Sequence, residues 1–166
     1  MAVHKIKQLV SEISNNNHSM YEILPPDVPV KPYFDLEIEH VDEQGNHTRE
    51  YTSEQMQDNL NTFLQWIIRI IRQELDVELM IDNFAILDSC RTDKLSYHIV
   101  IPTKLYFENV AVHKEFIAYL YERISTQDVE IGDQLSYQHK GVKTKYIFDR
   151  VPYSKNQCFR LPYQSK

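Results

Sequence analysis

From Ser53 to Leu75 the residues Met56, Leu60, Phe63, Leu64, Ile67, Ile68, Ile71 and Leu75 recur every three or four positions. That spacing predicts a long helix with one apolar stripe, and Thr52 with Gln55 offers a capping box to start it. A stripe of this kind holds a helix in place only when something covers it, so the remaining chain must provide an apolar surface. At 166 residues the chain can build one sizeable core rather than two, and residues 1–166 read as a single unit.

Short alternating runs supply that surface. In Tyr33-Phe-Asp-Leu-Glu-Ile-Glu39, Phe34, Leu36 and Ile38 alternate with Tyr33, Asp35, Glu37 and Glu39, giving a strand with one greasy face and one acidic face. Pro25, Pro26, Pro29 and Pro32 forbid regular structure ahead of it and feed an extended entry. Residues 20–24, 77–80, 84–87, 95–101, 146–148 and 158–161 read as further strands, 5–13 and 110–124 as helices, and 41–46 as a turn. Strands and helices alternate without the glycine fingerprint of a dinucleotide-binding parallel sheet. The expected class is α+β, a mixed β-sheet core with packed helices.

Charge is uneven along the chain. The net charge is -6, yet residues 137–166 carry Lys140, Lys143, Lys145, Arg150, Lys155, Arg160 and Lys166 against Asp149 alone, so that segment is +6 and the rest is -12. Either a phosphate-rich partner or a solvated basic surface fits such a segment. No apolar stretch approaches the ~20 residues of a membrane span, and Met1-Ala-Val-His-Lys-Ile-Lys lacks the apolar core of a secretion signal. An intracellular protein without a membrane partner is expected. Cys90 and Cys158 fall in no CxxC or zinc spacing, which leaves reduced, buried thiols as the expectation.

Three groups of residues could carry chemistry. Asp35 and Glu37, two apart on a strand, project from one face and could share a hard divalent cation, although acids so placed more often face water. Lys94, Ser96 and His98 form a second row at the same spacing, and all three side chains can donate to phosphate oxygens. Asp149 follows the apolar run 146–148 inside the basic segment, either as a third metal acid or as a turn-initiating aspartate. Arg160 alternates with Phe159 and Leu161, and Lys166 is a further basic residue at the end of the segment. No GxxxxGK[ST], GxGxxG or GxSxG motif is present.

In this order, Tyr33-Phe-Asp-Leu-Glu37, Lys94-Leu-Ser-Tyr-His98 and Asp149 through Phe159-Arg-Leu161 resemble the three motifs of the archaeo-eukaryotic primase superfamily. The resemblance runs from about Tyr21 to the end and is nearest to primase-polymerases and to the primase domains fused to helicases in large DNA viruses. It implies an RRM-like catalytic core that synthesises or extends primers on a single-stranded DNA template from NTPs or dNTPs. Asp35, Glu37 and Asp149 resemble its acids for two Mg2+ or Mn2+ ions, and Lys94, Ser96, His98, Arg160 and Lys166 its nucleotide contacts. The chain departs at Gln157, where relatives can carry an arginine that helps hold the triphosphate. It also stops at the third motif, as an N-terminal domain cut from a longer primase-helicase would, which makes a helicase domain in the same full-length chain the expected partner. Two rivals stand beside it: a metal-dependent nuclease that uses the same acids to direct water at a phosphodiester, with no need of the Lys-Ser-His row, and a non-catalytic nucleic-acid-interaction module that retains the fold.

Overall fold

Helix α1 (Ser53–Leu75) forms where the apolar period predicts it. The Thr52 hydroxyl accepts from Gln55 N at 3.2 Å and Gln55 Oε1 accepts from Thr52 N at 3.1 Å, so the box that opens the helix is closed in both directions. Asp76 ends it in the left-handed region, at φ 52°. The buried stripe differs in detail from the expected one: Trp66 and Ile70 are inside, whereas Ile68 is half-buried and Leu75 exposed. The stripe is rotated because α1 packs on a second layer of helix as well as on a sheet.

The structure, a computed structural model, describes residues 21–23, 27–102, 105–140, 143–148, 150, 153 and 158–160. The remaining elements are β1 (Tyr21–Ile23), β2 (Tyr33–Ile38), β3 (Ala85–Asp88), β4 (Leu95–Val100), α2 (Val110–Thr126), α3 (Val129–Gln134), β5 (Ser136–His139), β6 (Lys143–Tyr146) and β7 (Cys158–Arg160). The protein is α+β, with a core made of helices and antiparallel sheets.

The central sheet has the order β2-β4-β3, both pairings antiparallel. Its register sets Phe34 opposite Ile99, Leu36 opposite Tyr97 and Ile38 opposite Leu95. Opposed residues of an antiparallel pair share a face, so these six make one apolar surface, and all are buried. Each contributes about 1.5–3 kcal/mol by leaving water. Phe34 meets Phe63 of α1 edge-on at 5.4 Å between ring centroids. On the other side of β2, Glu37 N donates to Ile147 O at 2.6 Å and Leu36 is bridged to Phe148, whose ring lies 5.8 Å from Phe63 and 5.7 Å from Trp66. Residues 147–148 thus extend the sheet beyond β2. Two ribbons, β1–β7 and β5–β6, complete the described strands.

Several expectations need correction. Residues 77–80 are not a strand; after the left-handed Asp76 they run unpaired into a 3-10 turn at Ile81–Asn83, where Asn83 Oδ1 accepts from Met80 N at 2.8 Å. Met80 is 70% exposed, so its apolar character does not signal burial. Helix α3 was not expected. The strand expected over 146–148 ends at Tyr146, and Phe148 makes a single bridge instead. The expected helix over 5–13 lies outside the described residues. Among the described residues no helix is long and apolar enough to cross a membrane.

Candidate active site

The second face of the β2–β4 pair is polar, because the register that joins the apolar residues also sets Asp35 opposite His98 and Glu37 opposite Ser96. Two rows separated by some sixty residues of chain therefore meet as cross-strand neighbours. His98 Nε2 is 3.5 Å from Asp35 Oδ1. Lys94 precedes β4, in a turn closed by Arg91 N donating to Lys94 O at 2.8 Å and Lys94 N donating to Arg91 O at 3.1 Å. From there Lys94 Nζ reaches Glu37 Oε2 at 2.7 Å and Glu39 Oε2 at 3.8 Å. The side chains of Asp35, His98 and Lys94 are 20%, 16% and 11% exposed, and that of Glu37 is 40% exposed. The site is thus half-shielded, with the Glu37 carboxylate on its open side.

Two residues not singled out from the sequence, His47 and Asp93, continue the row. His47 Nε2 lies 3.8 Å from Glu39 Oε1 and 3.3 Å from Asp93 Oδ2, and Arg91 Nε lies 2.9 Å from Asp93 Oδ1. The hydrogen bond from Arg91, with its charge and that of His47, holds the Asp93 carboxyl below its ordinary range even though partial burial opposes this. Arg91 is thereby occupied with a surface acid rather than with the central pair. No spacing rule links His47 to Asp93; only the pairing of Val41 with His47 and the turn at Arg91 bring them together.

Ser96 is nearly fully buried, and its backbone N donates to Cys90 Sγ at 3.2 Å. Burial pushes the Cys90 thiol up, with neighbouring Asp88 adding to the effect. A thiol held protonated in this way is a poor nucleophile, so Cys90 serves packing. Beyond the N-terminal end of β2, Tyr33 stacks on Tyr153 at 5.0 Å and meets His113 edge-on at 4.6 Å, while His113 stacks on Phe107 at 4.5 Å. Tyr153 also donates its hydroxyl to Tyr33 O at 2.9 Å. Burial pushes the His113 imidazole down to about 3, so it is a neutral aromatic filler and not an acid-base group.

Of the residues expected to act, Asp35, Glu37, Lys94, Ser96 and His98 are brought to one face. Asp149, Lys166 and the divergent Gln157 lie outside the described residues. Arg160 is in β7 opposite Tyr21, on a ribbon separate from the central sheet. The register sets the acid row and the Lys-Ser-His row side by side. Among the described residues no group of three or more His, Cys, Asp or Glu side chains is spaced to hold a metal ion. Asp35 and Glu37 by themselves are hard oxygen donors of the type that Mg2+ and Mn2+ prefer, so the donor chemistry fits a divalent ion while the described set supplies only part of a coordination sphere.

No family model matches the chain. A protein of Ostreid herpesvirus 1 (isolate France) named "Putative primase" is 27% identical over 161 residues, which cover 90% of this chain. That similarity supports a relationship to a primase. The chain spans 13% of that relative's length.

Proposed function

We propose that this chain is the catalytic domain of a primase, a nucleotidyltransferase that starts or extends primers on a single-stranded DNA template with NTPs or dNTPs. The observation that carries the reading is the β2–β4 register, which assembles Asp35, Glu37, Ser96 and His98 on one half-shielded face with Lys94 at its border. The similarity to a protein named as a primase points the same way.

In this reading Asp35 and Glu37 hold Mg2+ or Mn2+, with Asp149 as third acid; Leu36 and Phe148, the sequence neighbours of Asp35 and Asp149, are bridged to each other. The bound ions supply positive charge against the transferring phosphate. Ser96 and His98 donate hydrogen bonds to the triphosphate and fix it beside the acids, and Arg160 and Lys166 add positive charge to its binding. Such positioning and charge stabilisation are the main contributions a protein makes to this reaction. The reading includes a helicase domain in the same longer chain as the partner that opens the duplex.

The first test is nucleotide binding. A fluorescent dNTP should bind in the presence of Mn2+, and His98→Ala should weaken it about tenfold, the worth of one charge-assisted hydrogen bond. Cleavage of DNA without added nucleotide, with dNTP affinity indifferent to His98, would turn the assignment to a nuclease.

A further inference from the structure

Lys94 is placed where a residue reserved for phosphate would not be. Its ammonium sits 2.7 Å from Glu37 and 3.8 Å from Glu39, on a side chain only 11% exposed, and its backbone is pinned by the reciprocal bonds to Arg91. Asp35 and Glu37 in β2, and Glu39 just past its end, follow one another at about 7 Å intervals, so in the absence of another cation they repel one another. Lys94 is a full positive charge in contact with the middle acid of the three. A divalent ion taken up by the same carboxylate would stand close to that ammonium, and the two cations would repel at short range.

We propose that Lys94 is the resident counter-ion of the acidic face: it neutralises Glu37 in the free protein, gives that carboxylate up when a divalent cation is taken, and swings its ammonium to the phosphates of the incoming nucleotide. Metal and nucleotide are then taken up together, since each relieves a charge that the other leaves exposed. The inference rests on the reading of Asp35 and Glu37 as metal-binding acids. A flexible four-carbon stem and three donors suit the ammonium to both partners. Glu39, within 4 Å, gives it a second acid to lean on during the exchange.

A lysine that only contacts phosphate and one that also guards the metal acids differ in sign. Mn2+ binding to the full chain, read by the loss of the free-ion electron paramagnetic resonance signal without nucleotide, separates them. Lys94→Gln should tighten Mn2+ binding roughly tenfold, because the competing charge is gone. The same variant should weaken dNTP binding by roughly tenfold in saturating Mn2+. Lys94→Arg keeps the charge and should leave Mn2+ affinity within about twofold of the parent. Lys94→Met, which keeps the apolar stem, repeats the measurement should the glutamine variant fail to fold. Mn2+ affinity that is unchanged or lower in the charge-free variants overturns the counter-ion role alone. Absence of Mn2+ binding in the unsubstituted chain overturns the metal reading together with this inference.

Discussion

Two ionic clusters in this protein are built from similar side chains and held very differently. Asp128, between α2 and α3, accepts from Trp66 Nε1 at 3.0 Å, from Arg69 at 2.8 Å and from Arg123 Nε at 2.9 Å. Arg123 goes on to Glu74 at 2.6 Å, Gln73 at 2.7 Å and the Tyr119 hydroxyl at 2.8 Å. Burial by itself would raise the Asp128 carboxyl, but the bonds from Trp66 and Arg123 and the charges of both arginines outweigh it and hold the group below its ordinary range. On the polar face of β2–β4, Lys94 Nζ lies 2.7 Å from Glu37 Oε2, whereas the Lys94–Glu39 and His98–Asp35 separations are 3.8 and 3.5 Å. A cluster whose donors and acceptors are used up at hydrogen-bond distance locks α1 to α2. The β2–β4 face instead turns the Glu37 carboxylate, 40% exposed, toward solvent, as the proposed ligand site requires.

If that contrast is right, substitutions at the two clusters should damage different properties. Asp128→Ala removes the acceptor shared by the Trp66 indole N–H and two guanidinium groups, and should lower unfolding free energy by about 3 kcal/mol in a denaturant titration. Glu37→Gln, in contrast, should change stability by less than about 1 kcal/mol, as expected for a partly exposed pair; a comparable loss at Glu37 would erase the distinction. Next in size is Gly132, in α3 beneath the Asp128 cluster. A Cβ there would stand 2.6 Å from Ile124 O, so Gly132→Ala must push α3 off α2 and should cost about 2 kcal/mol by the same titration.

A pH-dependent effect concerns His113, which belongs to neither cluster. Its folded pKa, pushed down to about 3, lies below the ordinary 6.5, so as pH falls the unfolded chain takes the proton first. Its contribution is complete above about pH 6.5 and declines continuously toward pH 3, with about 1.4 kcal/mol lost by pH 5.5. Stability measured between pH 7.5 and 5 should show this slope, and His113→Phe should flatten it.

The helix at Ser53–Leu75 and the two faces of β2 were legible because period and chemistry agree over many residues. Residues 77–80 misled because a short apolar run fits a strand, a buried turn or an exposed one equally well, and the left-handed Asp76 that decides among them leaves no mark in composition. Helix α3 was invisible for another reason: it is six residues long and is fixed by the close approach of Gly132 to Ile124. The candidate residues could be named from spacing and resemblance, but not their mutual positions. Which face of β4 meets which residue of β2 is a matter of register, and a slip of one residue would have set Asp35 beside Tyr97 or Ile99 in place of His98. Asp128 carried no signal at all, since its three partners come from α1 and α2.

The central claim is that the Asp35 and Glu37 side of the β2–β4 pair joins nucleotides. Templated incorporation of labelled nucleotide, on single-stranded DNA with and without a primer and with Mg2+ or Mn2+, tests it most directly when the unsubstituted chain is run beside the Asp35→Ala, Glu37→Ala double variant. The account predicts product from the first and a loss of at least about a thousandfold in the second, with thermal unfolding of the two alike. Equal product from both, or none from the unsubstituted chain under any of these conditions, would contradict it.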